Sequence, residues 1–416
     1  MMQNFEVNSN QIDKIKKITS DEKDFRIKNL ELFKASGFPN KKLEDWKFSD
    51  FKYIVDSNFN ELKIKETSFN QQNIDLISDF EHNYILLVDG NLQSSNFNYE
   101  EKSKIIINSF DKSTDYKTTS NSLVNLNHAL AENGYSLEIA KNYKFKKVLV
   151  IYNLFTKDLK NIILNNKNRI KLNENSELHT IEYTINESKS KFINNVYENI
   201  ILEKNSKLKN LTIQKNKSDG FFHKFLKCKL LLNSNYLNLI FSSGLKFNKI
   251  DIECDLINEN CECNILSALF LKKNEHQEIK TCINHLAPNC KSYQKVKNVL
   301  SEESKGVFQG KIFVKDIAQK TDAYQLSKAL LLNDEAEFNS KPELEIYADD
   351  VKCSHGSTSG NIDEDALHYL MTRGLTKNDS IKLLIKGFLN DVVDYIKNPS
   401  VKKFIENKFE EQINGH

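Results

Sequence analysis

Between about residue 83 and residue 360 the chain alternates short apolar runs with small polar turns. Tyr84-Ile-Leu-Leu-Val88 ends at Asp89-Gly90, a turn signal. Strand-like Tyr135-Ser-Leu-Glu-Ile139 and Val148–Tyr152 follow a short helix or turn at Asn127–Gly134. The middle then repeats itself. Ile170–Leu178, Ile200–Leu208, Leu230–Leu237 and Cys254–Cys263 each read as strand, polar turn, strand. Their turns, with a fifth at Asn289, fall at Asn175, Asn205, Ser234, Asn260 and Asn289, which are 30, 29, 26 and 29 residues apart. A recurrent period of this size marks a solenoid or propeller. With strands and no convincing helix in each unit, the pattern favours a β-solenoid in which each coil buries its apolar face on its neighbours. A β-sandwich is the alternative.

The two ends read differently. Residues 1–82 are expected to form an N-terminal helical domain, with Ile12, Ile15, Ile18, Phe25, Ile27, Leu30 and Phe33 tracing a helix face, and Gly37 with Pro39 as the stop. The only tryptophan, Trp46, is expected to anchor helix packing. Residues 361–416 are expected to be helical again, after a β-solenoid core over 83–360. Asn361 or Asp363 is placed to cap a helix ending at Gly374, and Thr376 begins the next. That helix carries Ile381, Leu384, Ile385, Phe388, Leu389, Val392 and Ile396, a broad apolar stripe suited to internal packing or to a partner.

Composition narrows the class. The chain has 416 residues, 39% hydrophobic and 28% charged, with a net charge of +2. That balance fits a globular protein and argues against a dedicated nucleic-acid partner. Lys14-Ile-Lys-Lys17 reads as a solvated helix face. No run of eighteen apolar residues appears, and Met1–Val7 lacks the apolar segment of a signal peptide, so a cytoplasmic location without membrane insertion is expected. No P-loop, G-x-G-x-x-G or G-x-S-x-G motif is present, so any ATP-driven step belongs to a partner.

The seven cysteines are the candidate chemistry. Cys254, Cys261 and Cys263 alternate within strands and read as core thiols. Cys282-Ile-Asn-His285, with His276 and Cys290 nearby, has metal-like spacing but lacks the second pair that closes a zinc site. Cys353 and His355 are stronger. On a strand they share a face, about 7 Å apart at Cα, and a thiolate beside an imidazole is a half-site for iron or zinc. Two ligands need a second chain or a transient ligand to complete the site. The segment Gly356-Ser-Thr-Ser-Gly360 is turn-prone and is expected to expose the pair at a strand end.

The region from His285 onward carries longer motifs: Phe308-Gln-Gly-Lys-Ile312, Ala318-Gln-Lys-Thr-Asp-Ala-Tyr-Gln325, Leu330-Leu-Leu-Asn333, Lys341-Pro-Glu-Leu-Glu-Ile346, Val351-Lys-Cys-Ser-His-Gly356, Tyr369 with Arg373-Gly374, and Gly387-Phe388. With Pro39-Asn-Lys-Lys-Leu-Glu-Asp-Trp-Lys-Phe48, these resemble the SufB/SufD family of the SUF iron–sulfur cluster assembly system. The chain is more similar to SufD-type members. SufB-type chains place a cysteine in the segment matching Gln319–Leu332, which has none here, and an acidic residue beside the histidine of the segment matching Val351–Gly356.

The resemblance implies a right-handed parallel β-helix between helical N- and C-terminal domains. It implies a non-enzymatic scaffold subunit of a complex with a SufB-like chain, met through the end of the β-helix, and a SufC-like ATPase, met through the C-terminal helices. For the chain alone, the resemblance is compatible with a homodimer. Cys353 and His355 become ligands of iron or of a transient iron–sulfur cluster shared with the SufB-like partner. A flavin is compatible with the resemblance, and no motif specifies one. The alternatives are a SufB-like direct cluster holder and a β-helix enzyme of the polysaccharide-lyase kind, against which the missing export signal counts.

Overall fold

A computed structural model describes residues 5, 7–15, 18–65, 71–109, 119–214 and 218–414. Most of Met1–Val7, with Lys16 and Lys17, lies outside the described residues. The architecture is a parallel β-solenoid with helices at both ends of the chain. Successive strands alternate between two sheets. One sheet runs from Tyr135–Ile139 through Ile162–Leu172 to Glu337–Ile346, the other from Leu149–Phe155 through Glu177–Asn186 to Val351–Asn361. Each strand pairs in parallel with the one a full coil later, which rules out the antiparallel Greek-key sandwich. At the N-terminal end two antiparallel pairs finish the sheets. One is the hairpin Asn83–Val88 with Asn91–Asn96, turned at Asp89-Gly90, both with positive φ.

One corner of the coil explains the period. Asn142, Asn175, Asn205, Asn233, Asn260 and Asn289 all adopt left-handed backbone, a conformation asparagine tolerates. Their amides form a ladder: Asn175 donates to Asn142 at 2.7 Å, Asn205 to Asn175 at 2.8 Å, Asn233 to Asn205 at 3.0 Å and Asn260 to Asn233 at 3.1 Å. The turn expected at Ser234 is therefore centred one residue earlier, because Asn233 supplies the left-handed residue and the amide. Ser234 points inward instead.

Within the coils, Ile170, Ile200, Leu226, Ile252, Ile279 and Phe308 belong to one continuous interior core. The outer face of the second sheet is apolar too, through Val150, Ile181, Leu211, Leu239, Leu266 and Val299. It is covered by helices Lys377–Val393 and Pro399–Asn414, whose Ile385, Leu389, Val392, Ile405 and Phe409 pack onto it. The stripe read from the sequence thus serves internal packing. Asp363 caps helix Glu364–Thr372, Thr376 caps Lys377–Val393, and Gly374 has φ +93°.

The outer face of the first sheet is covered from the N-terminal side. Helix Ser20–Ser36 buries Glu22, Arg26, Asn29, Leu30 and Phe33, while Phe25 and Ile27 are only partly covered. The face is rotated from the expected one because Arg26 pairs with Glu22 at 3.0 Å and donates to the carbonyls of Ala129 and Ala131. Those carbonyls end helix Ser122–Leu130, which begins and ends earlier than the expected Asn127–Gly134. Trp46 is buried against the solenoid, not only between helices: its indole meets His223 at 5.6 Å and Phe51 at 5.7 Å.

Candidate functional site

Cys353 and His355 lie on Val351–Asn361, the last strand of its sheet. The partner strand Thr321–Leu331 sets their direction. Cys353 registers on Ala323, His355 on Gln325 and Ser357 on Ser327, and all three partners are buried residues of the coil interior. Cys353, Val351 and Leu344 pack against Ile312, Val314, Ala318 and Ala323. The Ser357 hydroxyl accepts from Ser327 at 3.0 Å, and Ser327 lies 2.8 Å from Ser340 of the facing sheet. Among the described residues no further coil covers these side chains: Cys353 is half-buried and His355 exposed. The expected turn at Gly356–Gly360 is absent, because pairing continues to Asn361 opposite Leu331. What exposes the pair is the end of the solenoid rather than the end of a strand.

His355 is the last rung of an interior column. Thr180, Asn210, Asn238, Ile265, Gln294, Gln325 and His355 follow one another in register. Thr180 donates to Asn210 at 2.7 Å and Asn210 to Asn238 at 3.3 Å. Gln325 is almost fully buried, and its amide donates to the Glu343 carbonyl at 3.2 Å. Gly310 makes room for it, since a Cβ there would fall 2.1 Å from Gln325 Oε1. Sequence reading missed Gln325 and Ser327 as neighbours of the site. The signal was present: Ala323, Gln325 and Ser327 stand 30 residues before Cys353, His355 and Ser357.

Burial, reinforced by the Asp322 charge, pushes the Cys353 thiol up from its ordinary value. The isolated chain therefore presents a neutral thiol near pH 7, and a metal ion or a positively charged partner group must displace its proton. Among the described residues no group of three or more His, Cys, Asp or Glu side chains is arranged to hold a metal ion.

The other candidates separate. Cys282 and His285, three residues apart on one strand, point to opposite faces. Cys282 contacts Asn284 and burial raises its thiol to about 11, while His285 lies inside, 2.9 Å from Ser292, and burial lowers it to about 4. Cys254 registers on Cys228, and both, with Cys263, belong to the interior core. Cys261 and Cys290 line the corner beneath the asparagine ladder.

Just beyond strand Val351–Asn361, Tyr369, Met371, Leu375 and Leu383 are exposed on and beside helix Glu364–Thr372. The Arg373 guanidinium lies 5.1 Å from the Tyr369 ring centre.

Residues 155–388 match the family model described as SUF system FeS cluster assembly, SufBD core domain. The chain belongs to the SufBD family. Its similarity to the Escherichia coli iron–sulfur cluster assembly protein SufD is 25% identity, spanning 93% of this chain and 92% of that protein. A SufBD family protein of Synechocystis is 28% identical over 56% of this chain and 52% of its own length. The Arabidopsis thaliana chloroplastic protein ABCI7 is 28% identical over 55% and 49% respectively. SufBD membership places the chain in iron–sulfur cluster assembly, and the matched core runs from the first complete coils through the strand bearing Cys353 and His355 into the C-terminal helices.

Proposed function

We propose that this chain is the SufD-like scaffold subunit of a cytoplasmic complex with a SufB-like chain and a SufC-like ATPase. Its proposed role is iron acquisition and cluster assembly at the interface with the SufB-like chain. The observation that carries this reading is the bare end of the solenoid. The last strands of both sheets, Glu337–Ile346 and Val351–Asn361, each offer an unpaired edge among the described residues. An uncovered edge is a template for strands of another chain. Exposed Tyr324, Ile346 and Tyr347 add apolar surface there. Cys353 and His355 face into that end, so a partner closing it brings its own ligands onto theirs. The incoming iron or cluster is cargo, held between two chains.

The exposed Tyr369, Met371, Leu375 and Leu383 support docking of the ATPase on the C-terminal helices, clear of the stripe that packs on the solenoid. ATP hydrolysis then resides in that partner and this chain acts as scaffold.

The test is anaerobic co-expression with SufB-like and SufC-like chains, purification through a tag on this chain, light scattering, and iron and acid-labile sulfide analysis. A stable complex is expected, with the His355→Ala and Cys353→Ser variants assembling normally but carrying less iron and sulfide. Failure of both partners to co-purify, or unchanged metal content in both variants, overturns the reading.

A further inference from the structure

Beneath the asparagine ladder runs a second row. The residue after the left-handed Asn175, Asn205, Asn233, Asn260, Asn289 and Lys320 turns into the coil: Ser176, Ser206, Ser234, Cys261, Cys290 and Thr321. In three of the four hydroxyl coils the side chain ties down the turn before it, and Ser234 instead lies 3.8 Å from Cys261 Sγ. Ser176 donates to the Asn173 carbonyl at 2.6 Å, Ser206 to Glu203 at 2.7 Å and Thr321 to Ala318 at 2.8 Å. Two successive coils carry thiols instead. Cys261 makes the same tie, to the Asn258 carbonyl at 3.0 Å, whereas Cys290 meets the carbonyls of Asn258 and Pro288. A thiol is the weaker donor, so tying the turn does not account for cysteine at both positions.

The two thiols are neighbours. Glu262 registers on Lys291, and the Lys291 N–H donates to the Cys261 carbonyl at 2.9 Å, which stacks Cys290 directly on Cys261. Both sulfurs converge on one atom, the Asn258 carbonyl oxygen, at 3.0 Å from Cys261 and 3.3 Å from Cys290. Adjacent strands lie about 4.8 Å apart, inside the Cα separation of about 4.4–6.8 Å that a disulfide spans. The cover is thin. Ile257, Asn258, Glu259 and Asn260 are all exposed, so opening this four-residue turn uncovers both sulfurs. A hydrogen bond from Cys290 also lowers the Cys261 thiol to about 7, making it the better nucleophile of the two near neutral pH. Cys228, Cys254 and Cys263 share the same interior core and are as deeply buried, but they lie within strands rather than beneath this exposed turn.

We propose that Cys261 and Cys290 are a redox modification site, a dithiol that closes to an intrachain disulfide by exchange with a low-molecular-weight disulfide. The Cys261 thiolate attacks one sulfur of the small disulfide, forming a mixed disulfide and releasing one small thiolate. Cys290 then gives its proton to solvent or to that thiolate, attacks Cys261 Sγ, and expels the second small thiolate. The two cysteines lose two electrons and two protons, and one small disulfide becomes two small thiols. The product staples one coil to the next beneath the ladder.

The full chain is incubated with oxidised glutathione near pH 7.5, denatured in acid, alkylated and analysed by peptide mass spectrometry without reduction. Alkylatable cysteines are expected to fall from seven to five, with a Cys261–Cys290 cross-linked peptide. Cys353→Ser retains that cross-link, while Cys261→Ser and Cys290→Ser each abolish it. Because serine fills the same corner position in three other coils, both serine variants are expected to keep the wild-type Tm, which separates loss of the link from loss of the fold. Seven cysteines still alkylatable, or a link that joins a different pair, overturns the proposal.

Discussion

The Lys249 ammonium lies 4.8 Å from the centre of the Trp46 ring, in a site where the lysine side chain is wholly buried. Lys249 pairs there with Glu278 and with Asp251, the latter at 3.2 Å, and donates to the Asp45 carbonyl at 3.1 Å. Gln309 donates to Glu278 at 2.6 Å, and Ser49 to the other oxygen of the same carboxylate. Lys280 reaches Asp45 at 2.5 Å and Lys341 pairs with Glu44. The segment around Trp46 is thus latched onto the outer face of the solenoid by charge. Removing one member of a buried pair strands the other. Lys249→Met is expected to destabilise the chain by about 3–5 kcal/mol. The single tryptophan makes the check direct: Trp46 emission should shift to the red at lower urea than in wild type.

Asp391 holds the long C-terminal helix to the second sheet, with Lys297 at 2.7 Å and Lys295 at 3.0 Å. Burial raises the Asp391 carboxyl, but the hydrogen bonds and charges of the two lysines outweigh it and hold the group below its ordinary value. A lowered folded-state value means stability that is present above the unfolded-state pKa of about 3.9 and lost as pH falls through the folded value. Because Asp391 is nearly half exposed, Asp391→Ala is expected to cost about 1–2 kcal/mol near pH 7. The difference from wild type should shrink below about pH 4. Urea unfolding at several pH values checks both.

Asn205 sits mid-ladder with φ 58°, donating to Asn175 and accepting from Asn233. Asn205→Ala removes both hydrogen bonds and places a Cβ residue without polar compensation in left-handed backbone. Asn205→Gly removes the bonds but relieves the backbone. The alanine variant is expected to be less stable than the glycine variant by about 1 kcal/mol, which chemical denaturation of the two resolves.

Gly310 admits Gln325 beneath the candidate site, and a Cβ would also meet the Phe308 ring at 2.5 Å. Gly310→Ala is expected to cost about 1–3 kcal/mol by overpacking. It should also lower iron and sulfide content in the assembled complex by displacing the rung on which His355 stacks. Stability and metal content of this single variant, measured together, test that coupling.

The solenoid was legible because its corner residue is almost always asparagine, so the turn repeats in sequence as it does in space. Its one displaced turn, Ser234 for Asn233, came from two small polar residues standing side by side. The helix Ser20–Ser36 was misaligned because its buried face rests on an ion pair, Glu22 with Arg26, that a hydrophobic pattern does not register. Around Cys353 and His355, strand alternation gave the shared face. It did not give the continuing pairing of Gly356–Gly360, since small residues read as a turn when no neighbouring strand is in view. The split of Cys282 from His285 follows from strand parity once the strand is known.

The central claim is that the bare end of the solenoid is where a SufB-like chain adds its strands. Amide hydrogen exchange over Glu337–Ile346 and Val351–Asn361, in the free chain and in the purified complex, tests it most directly. The account predicts that edge amides of both strands become strongly protected in the complex while those of the asparagine corner do not change. A complex that forms with both edge strands exchanging as fast as in the free chain would contradict it.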